Sequence, residues 1–196
     1  MNILPIKLSG AHVDLDPLER SHFDELYEVG LDPSIWSLTV NVVNCKDDLK
    51  RYLEKALSEK DRGISLPFVT REKASGRAVG STRFGNFDLA HKRVEIGWTW
   101  INPKWQRTVV NTEAKLLMLT HAFEEWSCIR VELKTDVLNE RSRSAILRIG
   151  AKEEGTFRQH MVTESGRLRD SVYFSIIDSE WRQVKKALAE KLQVSN

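Results

Sequence analysis

The stretch Arg93–Met118, RVEIGWTWINPKWQRTVVNTEAKLLM, decides the fold. Its first nine residues read as a strand, Arg93–Ile101. Regular alternation along it sends Glu95, Gly97, Thr99 and Ile101 to one face and Val94, Ile96, Trp98 and Trp100 to the other. An Asn-Pro turn and a short polar, basic loop follow. From Thr112 onward Leu116, Leu119, Phe123 and Trp126 recur at helical spacing and form one apolar face. Ile129–Val137 then alternates Ile129, Val131 and Leu133 against Arg130, Glu132 and Lys134, which makes it a second strand and completes a crossover unit. Ligands of such sheets collect at the carboxyl ends of strands where connections diverge, and the loop after Ile101 stands in that position.

Outward from this unit the chain reads as strand Val13–Leu18, helices Ser21–Val29 and Lys46–Lys60, and strands Ser65–Arg71 and Ala78–Phe87. Downstream come helix Asn139–Ile149 stopped by Gly150, strands Gly155–Val162 and Ser171–Ile177, and a helix from about Ser179. The order predicts an α/β (α+β) arrangement, with a mixed, mostly antiparallel central sheet flanked by helices. With neither linker nor repeat, residues 1–196 read as a single domain. Thirty Lys and Arg against 28 Asp and Glu leave a formal charge of +2, too small to argue for nucleic acid, though a local basic patch could still serve an acidic ligand. Cys45 and Cys128 have neither metal-ligand spacing nor a disulfide framework around them. The absence of a leader-like start and of a long apolar run points to a cytoplasmic protein without membrane attachment.

Four segments carry a resemblance: VEIGWTWINPKWQR (94–107), NTEAKLLML (111–119), VLNERSRSAILRIGAKEEG (137–155) and RDSVYFSIIDSEW (169–181). Together with the element order they resemble the GNAT superfamily of acyl-CoA-dependent N-acetyltransferases, within it the ribosomal-protein N-terminal acetyltransferase-like (RimJ/RimL type) branch. The resemblance implies a loop of the form (Q/R)-x-x-G-x-(G/A) that receives the coenzyme A pyrophosphate on its backbone N–H groups, at the positive end of a helix. Gln106 takes the first position, which puts Val109 and Asn111 where the glycines stand. A β-branched residue does not adopt positive φ comfortably, so Val109 weighs against binding. A loop held wholly at negative φ would still present the N–H groups of Arg107, Thr108, Val110, Asn111 and Thr112. Asn111 also reads as the helix N-cap, with Glu113 favouring the helix dipole, and Lys104, Arg107 and Lys115 read as a solvated basic face.

For the reaction, the resemblance places Glu95 as the base, directly or through water; its other reading is a salt-bridged glutamate on the surface or sheet face. The resemblance places the backbone around Trp98, Thr99 and Trp100 against the thioester and pantetheine, Asn139 on the pantetheine arm, and Ser142 beside the thiolate. Asn139 also reads simply as a helix N-cap. Ile146 stands where many members carry a tyrosine, so no general acid is assigned. His160 reads as a pH-tuned group near the acceptor or as a structural one, and Trp36 as part of the acceptor wall. The implied function is acetyl transfer from acetyl-CoA, without a metal, to a primary amine, either a protein N-terminus or a small molecule. The alternative is a catalytically weakened acyl-CoA-binding or interaction module on the same fold. Homodimerisation stays open in either case.

Overall fold

A computed structural model describes residues 1–194. The strands are β1 (Leu8–Ser9), β2 (Val13–Pro17), β3 (Ser65–Glu72), β4 (Ala78–Asp88), β5 (Arg93–Ile101), β6 (Arg130–Asp136), β7 (Lys152–Val162) and β8 (Leu168–Ile177). The helices are α1 (Phe23–Gly30), α2 (Pro33–Trp36), α3 (Lys46–Asp61), α4 (Val109–Thr120), α5 (Glu140–Arg148) and α6 (Asp178–Val194). All eight strands lie in one sheet in the order β1-β2-β3-β4-β5-β6-β8-β7, antiparallel throughout except for β5 beside β6. That pair is parallel because α4 carries the chain back across the sheet between them, as a parallel neighbour requires.

Two cores sandwich the sheet. Val110, Ala114, Met118 and Leu119 of α4, Ile146 of α5 and Trp181, Val184 and Leu188 of α6 pack on one face against Val94, Ile96, Ile101, Val131, Leu133 and Phe174. On the other face Leu26, Trp36, Leu49, Leu53 and Leu57 of α1, α2 and α3 cover Val69, Ala78 and Trp100. Each helix thus buries the apolar stripe that its 3.6-residue spacing creates.

Several boundaries differ from the sequence reading. The short strand β1 and the one-turn helix α2 carry too little periodicity to register, and β7 and β8 each begin three residues earlier than expected. Helix α4 starts at Val109 rather than Thr112, because Thr108 takes the cap, its hydroxyl accepting from Val110 N at 3.3 Å. The expected alternation of β5 also fails. Ser81 pairs with Trp100 and Arg83 with Gly97, so Thr82 alone faces Trp98 and Thr99, a β-bulge in which Trp98 takes φ +50°. Past the bulge the faces exchange: Thr99 and Ile101 join Val94 and Ile96 on the α4 side, while Trp100 joins the opposite core with α3.

Candidate active site

The sheet opens where β5 meets β6. Their pairing covers only Arg93–Arg130, Val94–Val131 and Glu95–Glu132; beyond it, Ile96–Ile101 and Leu133–Asp136 diverge without pairing to each other. The N-terminus of α4 stands at the far end of this gap, and its entry loop is held on every side. Asn102 Nδ2 donates to Val29 O at 2.8 Å, Gln106 Nε2 to Ile101 O at 2.8 Å, and Gln106 Oε1 accepts from Arg141 at 2.9 Å.

Arg107, not Val109, adopts the left-handed conformation, at φ +62°. Val109 is the first helical residue, a place that asks for no glycine. The conformational ground on which Val109 weighs against binding is therefore absent, and the picture of a loop wholly at negative φ is corrected. Val109→Gly is accordingly expected to change acetyl-CoA affinity by no more than about twofold in a calorimetric titration, since it relieves no strained backbone; a tenfold change would show that the valine side chain itself shapes the site.

A cavity of about 280 Å³ lies against this helix end, lined by Arg107, Thr108, Val109, Thr112, Arg148, Lys191 and Leu192. Arg148 Nη2 donates to Thr112 Oγ1 at 2.8 Å, and Lys191 donates to the carbonyl of Arg148. Cations gathered at the positive end of a helix dipole are mutually unfavourable until an anion joins them, which marks the cavity as suited to phosphate.

Three residues of α4 depart from their expected roles. Asn111 is not the N-cap; it lies in the first turn, and its Oδ1 is buried with no hydrogen-bond partner. Glu113 does not merely favour the dipole but is buried, accepting from the backbone N–H groups of Ala11 at 2.9 Å and of His12 and Val13 at 2.6 Å each. Lys115 is no solvated cation: it is 5% exposed, with Nζ donating to Thr99 Oγ1 at 2.6 Å and Thr82 Oγ1 at 3.1 Å. Burial pushes its pKa down to about 7.

At the near end of the gap sits Glu95, 3% exposed. Its Oε2 accepts from Lys134 Nζ and from Asn86 Nδ2, both at 2.7 Å. Its Oε1 curls over the next residue but one, where a Cβ on Gly97 would stand 2.9 Å away. A glycine there leaves the carboxylate room over the strand just where β5 parts from β6.

A model of the acetyltransferase (GNAT) domain matches residues 12–152, most of the chain, from β2 through α5. The chain belongs to the GNAT acetyltransferase family. It is 34% identical over 110 residues to the Bacillus subtilis (strain 168) protein named "Putative ribosomal N-acetyltransferase YdaF", an alignment covering 56% of this chain and 59% of that relative's length. A GCN5-related N-acetyltransferase from Brucella melitensis superposes with a TM-score of 0.89 at 31% identity, over 96% of this chain and 86% of the other. Mycobacterium smegmatis RimJ, solved with CoA-disulfide, shares the fold with a TM-score of 0.79 at 21% identity, covering 96% of each chain.

GNAT acetyltransferases use acetyl-CoA, and the residues present fit it. The helix end and its cations suit phosphates, the unpaired gap suits an extended arm, and the orphaned Asn111 Oδ1 lacks only a donor. The remaining candidate residues fall around this GNAT gap unevenly. Asn139 caps α5, with Oδ1 accepting from Ser142 N at 3.0 Å, so the pair forms one capping turn just past the end of β6. Trp100 is buried, and its backbone lies on the diverging part of β5; Trp98 is half-buried, its ring near the Arg83 guanidinium and its carbonyl accepting from Tyr52 Oη at 3.3 Å. Trp36 is buried too, its ring between Tyr52 and Trp100 and its Nε1 donating to Gly30 O at 2.7 Å. It lies inside the core on the α1–α3 face of the sheet.

His160 packs edge-on against Phe157 and Tyr173 and meets Ser171 Oγ at 3.1 Å; desolvation first, then Lys134 and Arg169, hold its pKa below the ordinary histidine value. Sequence reasoning passed over Lys134, Asn86 and Glu164. Glu164, in the β7–β8 turn, accepts from Asn41 Nδ2 at 2.9 Å and Val42 N at 2.7 Å, while its own N–H donates to Val40 O at 2.9 Å. That contact ties the loop after α2 to the β7–β8 hairpin. Only the alternation of β6, which puts Lys134 on the same face as Glu132, hinted at any of these partners.

Proposed function

We propose that the protein is an acetyl-CoA-dependent N-acetyltransferase that moves an acetyl group to a primary amine by direct attack on the thioester. The observation that carries this reading is the buried Glu95 carboxylate at the point where β5 and β6 separate, with the cationic end of α4 at the other end of the same gap. The α4 end, with the N–H groups of Thr108, Val109 and Asn111 and the side chains of Arg107 and Arg148, holds the phosphates; the Val110 N–H is already given to the Thr108 cap and that of Thr112 to the first helical turn. Gln106 fixes the loop in place. Acetyl-CoA supplies the activated acyl group. The Thr99 N–H, on the unpaired edge of β5, faces the arm and the carbonyl oxygen as it gains charge, with the backbone of Trp98 and Trp100 beside it; the Trp100 N–H points to β4, as that of Asn102 does to Val79 O. Asn139, whose Oδ1 is engaged by its own helix, offers Nδ2 to the same arm.

The acceptor nitrogen forms the C–N bond as the C–S bond breaks. Glu95 receives the ammonium proton, directly or through water, and the departing thiolate takes up a proton as free coenzyme A. Ser142, in the capping turn beside the arm, is placed to donate a hydrogen bond to that thiolate. The acceptor we favour is a protein N-terminus, a reading supported by the name of the YdaF relative. With Val109 in an ordinary helical position, the weakened-module alternative loses its motive in the loop.

Acetyl-CoA is expected to bind in the micromolar range and to stabilise the fold by about 2.7 kcal/mol at a hundred times its Kd, seen as a rise in Tm of roughly 5–10 °C. Absence of both heat in calorimetry and a thermal shift at millimolar cofactor would overturn this reading.

A further inference from the structure

Resting on that reading, the buried amine on α4 takes a specific part in it. Lys115 and Asn111 stand four residues apart and share one face of the helix. The Lys115 amine meets only hydroxyls, Thr82 of β4 and Thr99 of β5, and among the described residues no acidic side chain forms an ion pair with it. Thr82 Oγ1 in turn approaches Thr99 Oγ1 at 2.8 Å and Met118 Sδ at 3.7 Å. The other charged groups near this helix are turned elsewhere: Glu113 to the β1–β2 turn, Arg148 to Thr112, Lys191 to the Arg148 carbonyl, and Arg83 and Glu95 to the opposite face of the sheet.

A buried amine without a counter-ion is costly, and its long stem would pack as well if it ended in a methyl group. Yet it reaches the one member of the cluster that is exposed, Thr99, on the part of β5 that has left β6. One turn earlier on the same face lies the buried, unpartnered Asn111 Oδ1. One polar patch thus offers an anchored hydroxyl and an orphaned acceptor, the two halves of an amide recognition site.

We propose that Lys115 is a positioning residue for the acyl-CoA arm: its amine donates to Thr99 Oγ1, and the Thr99 proton, which has only a long 3.4 Å contact with Gly97 O, turns outward to a pantetheine carbonyl, while Asn111 accepts from a pantetheine N–H. An ammonium enforces this orientation, since it can only donate; a neutral amine can also accept the Thr99 proton and draw the hydroxyl away from the arm. Binding therefore favours the charged form, so the bound pKa lies above the free one near 7. The advantage is complete at pH below the free value and is lost as pH rises through the bound value.

The test compares wild type, Lys115→Met and Thr99→Val by calorimetric titration with acetyl-CoA and with a CoA fragment that lacks the pantetheine arm (adenosine 3′,5′-bisphosphate), at several pH values and in buffers of different ionisation enthalpy. Both variants are expected to lose about fivefold to tenfold in acetyl-CoA affinity, as for one hydrogen bond to ligand, and to bind the bisphosphate as wild type does. Lys115→Met is also expected to abolish the proton uptake that wild type shows near pH 7.5, while its Tm equals or exceeds wild type because an unpaired buried amine has gone. The cofactor's own phosphate ionisation is common to both proteins and cancels in the comparison. Wild type binding acetyl-CoA with Lys115→Met and Thr99→Val indistinguishable from it would overturn the inference alone. A loss of bisphosphate binding equal to that of acetyl-CoA would overturn it too, by showing a helix displaced as a whole. Failure of wild type to bind acetyl-CoA at all would overturn the function reading with it.

Discussion

Glu95→Gln is expected to lower turnover by about a hundredfold or more, with acetyl-CoA affinity nearly unchanged. Gln keeps the size of the side chain and can still give a carbonyl oxygen to Lys134 and Asn86, the two groups now bound to Oε2. It cannot accept the ammonium proton. The proposed cofactor contacts belong to α4 and its entry loop, to α5 and its cap, and to β5 from the bulge onward, and none of them uses this carboxyl, so binding has no reason to change. Loss of the buried ion pair with Lys134 lowers stability as well, because a lysine is left with only a neutral partner. Steady-state release of free coenzyme A should therefore be followed well below the variant's own Tm and across pH, once a screen of amines and N-terminal peptides has supplied an acceptor. Equal turnover numbers at every pH would remove Glu95 from the chemistry and leave water or the acceptor's free-amine fraction as the proton sink. A rise in the acceptor KM alone would make it a positioning group instead.

The contrast between Glu95 and its neighbours shows what a sequence can disclose about such a site. The β5–α4–β6 unit was legible because strand alternation and helical spacing follow directly from burial of one face, and burial dominates those segments. The start of α4 was misplaced by three residues because Thr108 and Asn111 are both good caps, while Val109 and Val110 do not look like helix formers. The bulge at Trp98 and the positive φ at Arg107 left no mark at all: neither residue type favours that conformation, and tertiary context imposes it. Once the bulge is missed, every face assignment after it reverses, which is why Thr99 was not connected with α4. Lys115 and Glu113 were hidden for a related reason. Charged residues on a helix are nearly always solvated, so only the structure could reveal two that are buried within one turn of each other. Side-chain partners across the sheet, such as Lys134 for Glu95, depend on register, which spacing along one strand does not define.

Glu113→Ala is expected to destabilise the protein by about 3–4 kcal/mol, or roughly 10 °C in Tm. The carboxylate is buried and satisfies three successive N–H groups, those of Ala11, His12 and Val13, across a separation of about a hundred residues. Charge-assisted bonds of this kind contribute more than neutral ones, and truncation leaves the buried Val13 N–H and the partly buried His12 N–H without their partner. The turn is shaped for this guest: a Cβ on Gly10 would stand 2.5 Å from Glu113 Cδ, closer than atoms can approach. Gly10→Ala alone should therefore push the carboxylate out of its nest and lose much of the same stability. If the nest is the cause, the two losses are not additive, and Gly10→Ala introduced into Glu113→Ala should be close to neutral in urea or thermal unfolding. Additive losses would mean that Gly10 matters for the backbone alone and that Glu113 stabilises by some other contact. Because Glu113 sits in the opening turns of α4, the same nest clamps the cofactor-facing end of that helix to the sheet. Glu113→Ala should accordingly weaken acetyl-CoA and adenosine bisphosphate alike, the opposite of the selective loss expected when Lys115 is changed.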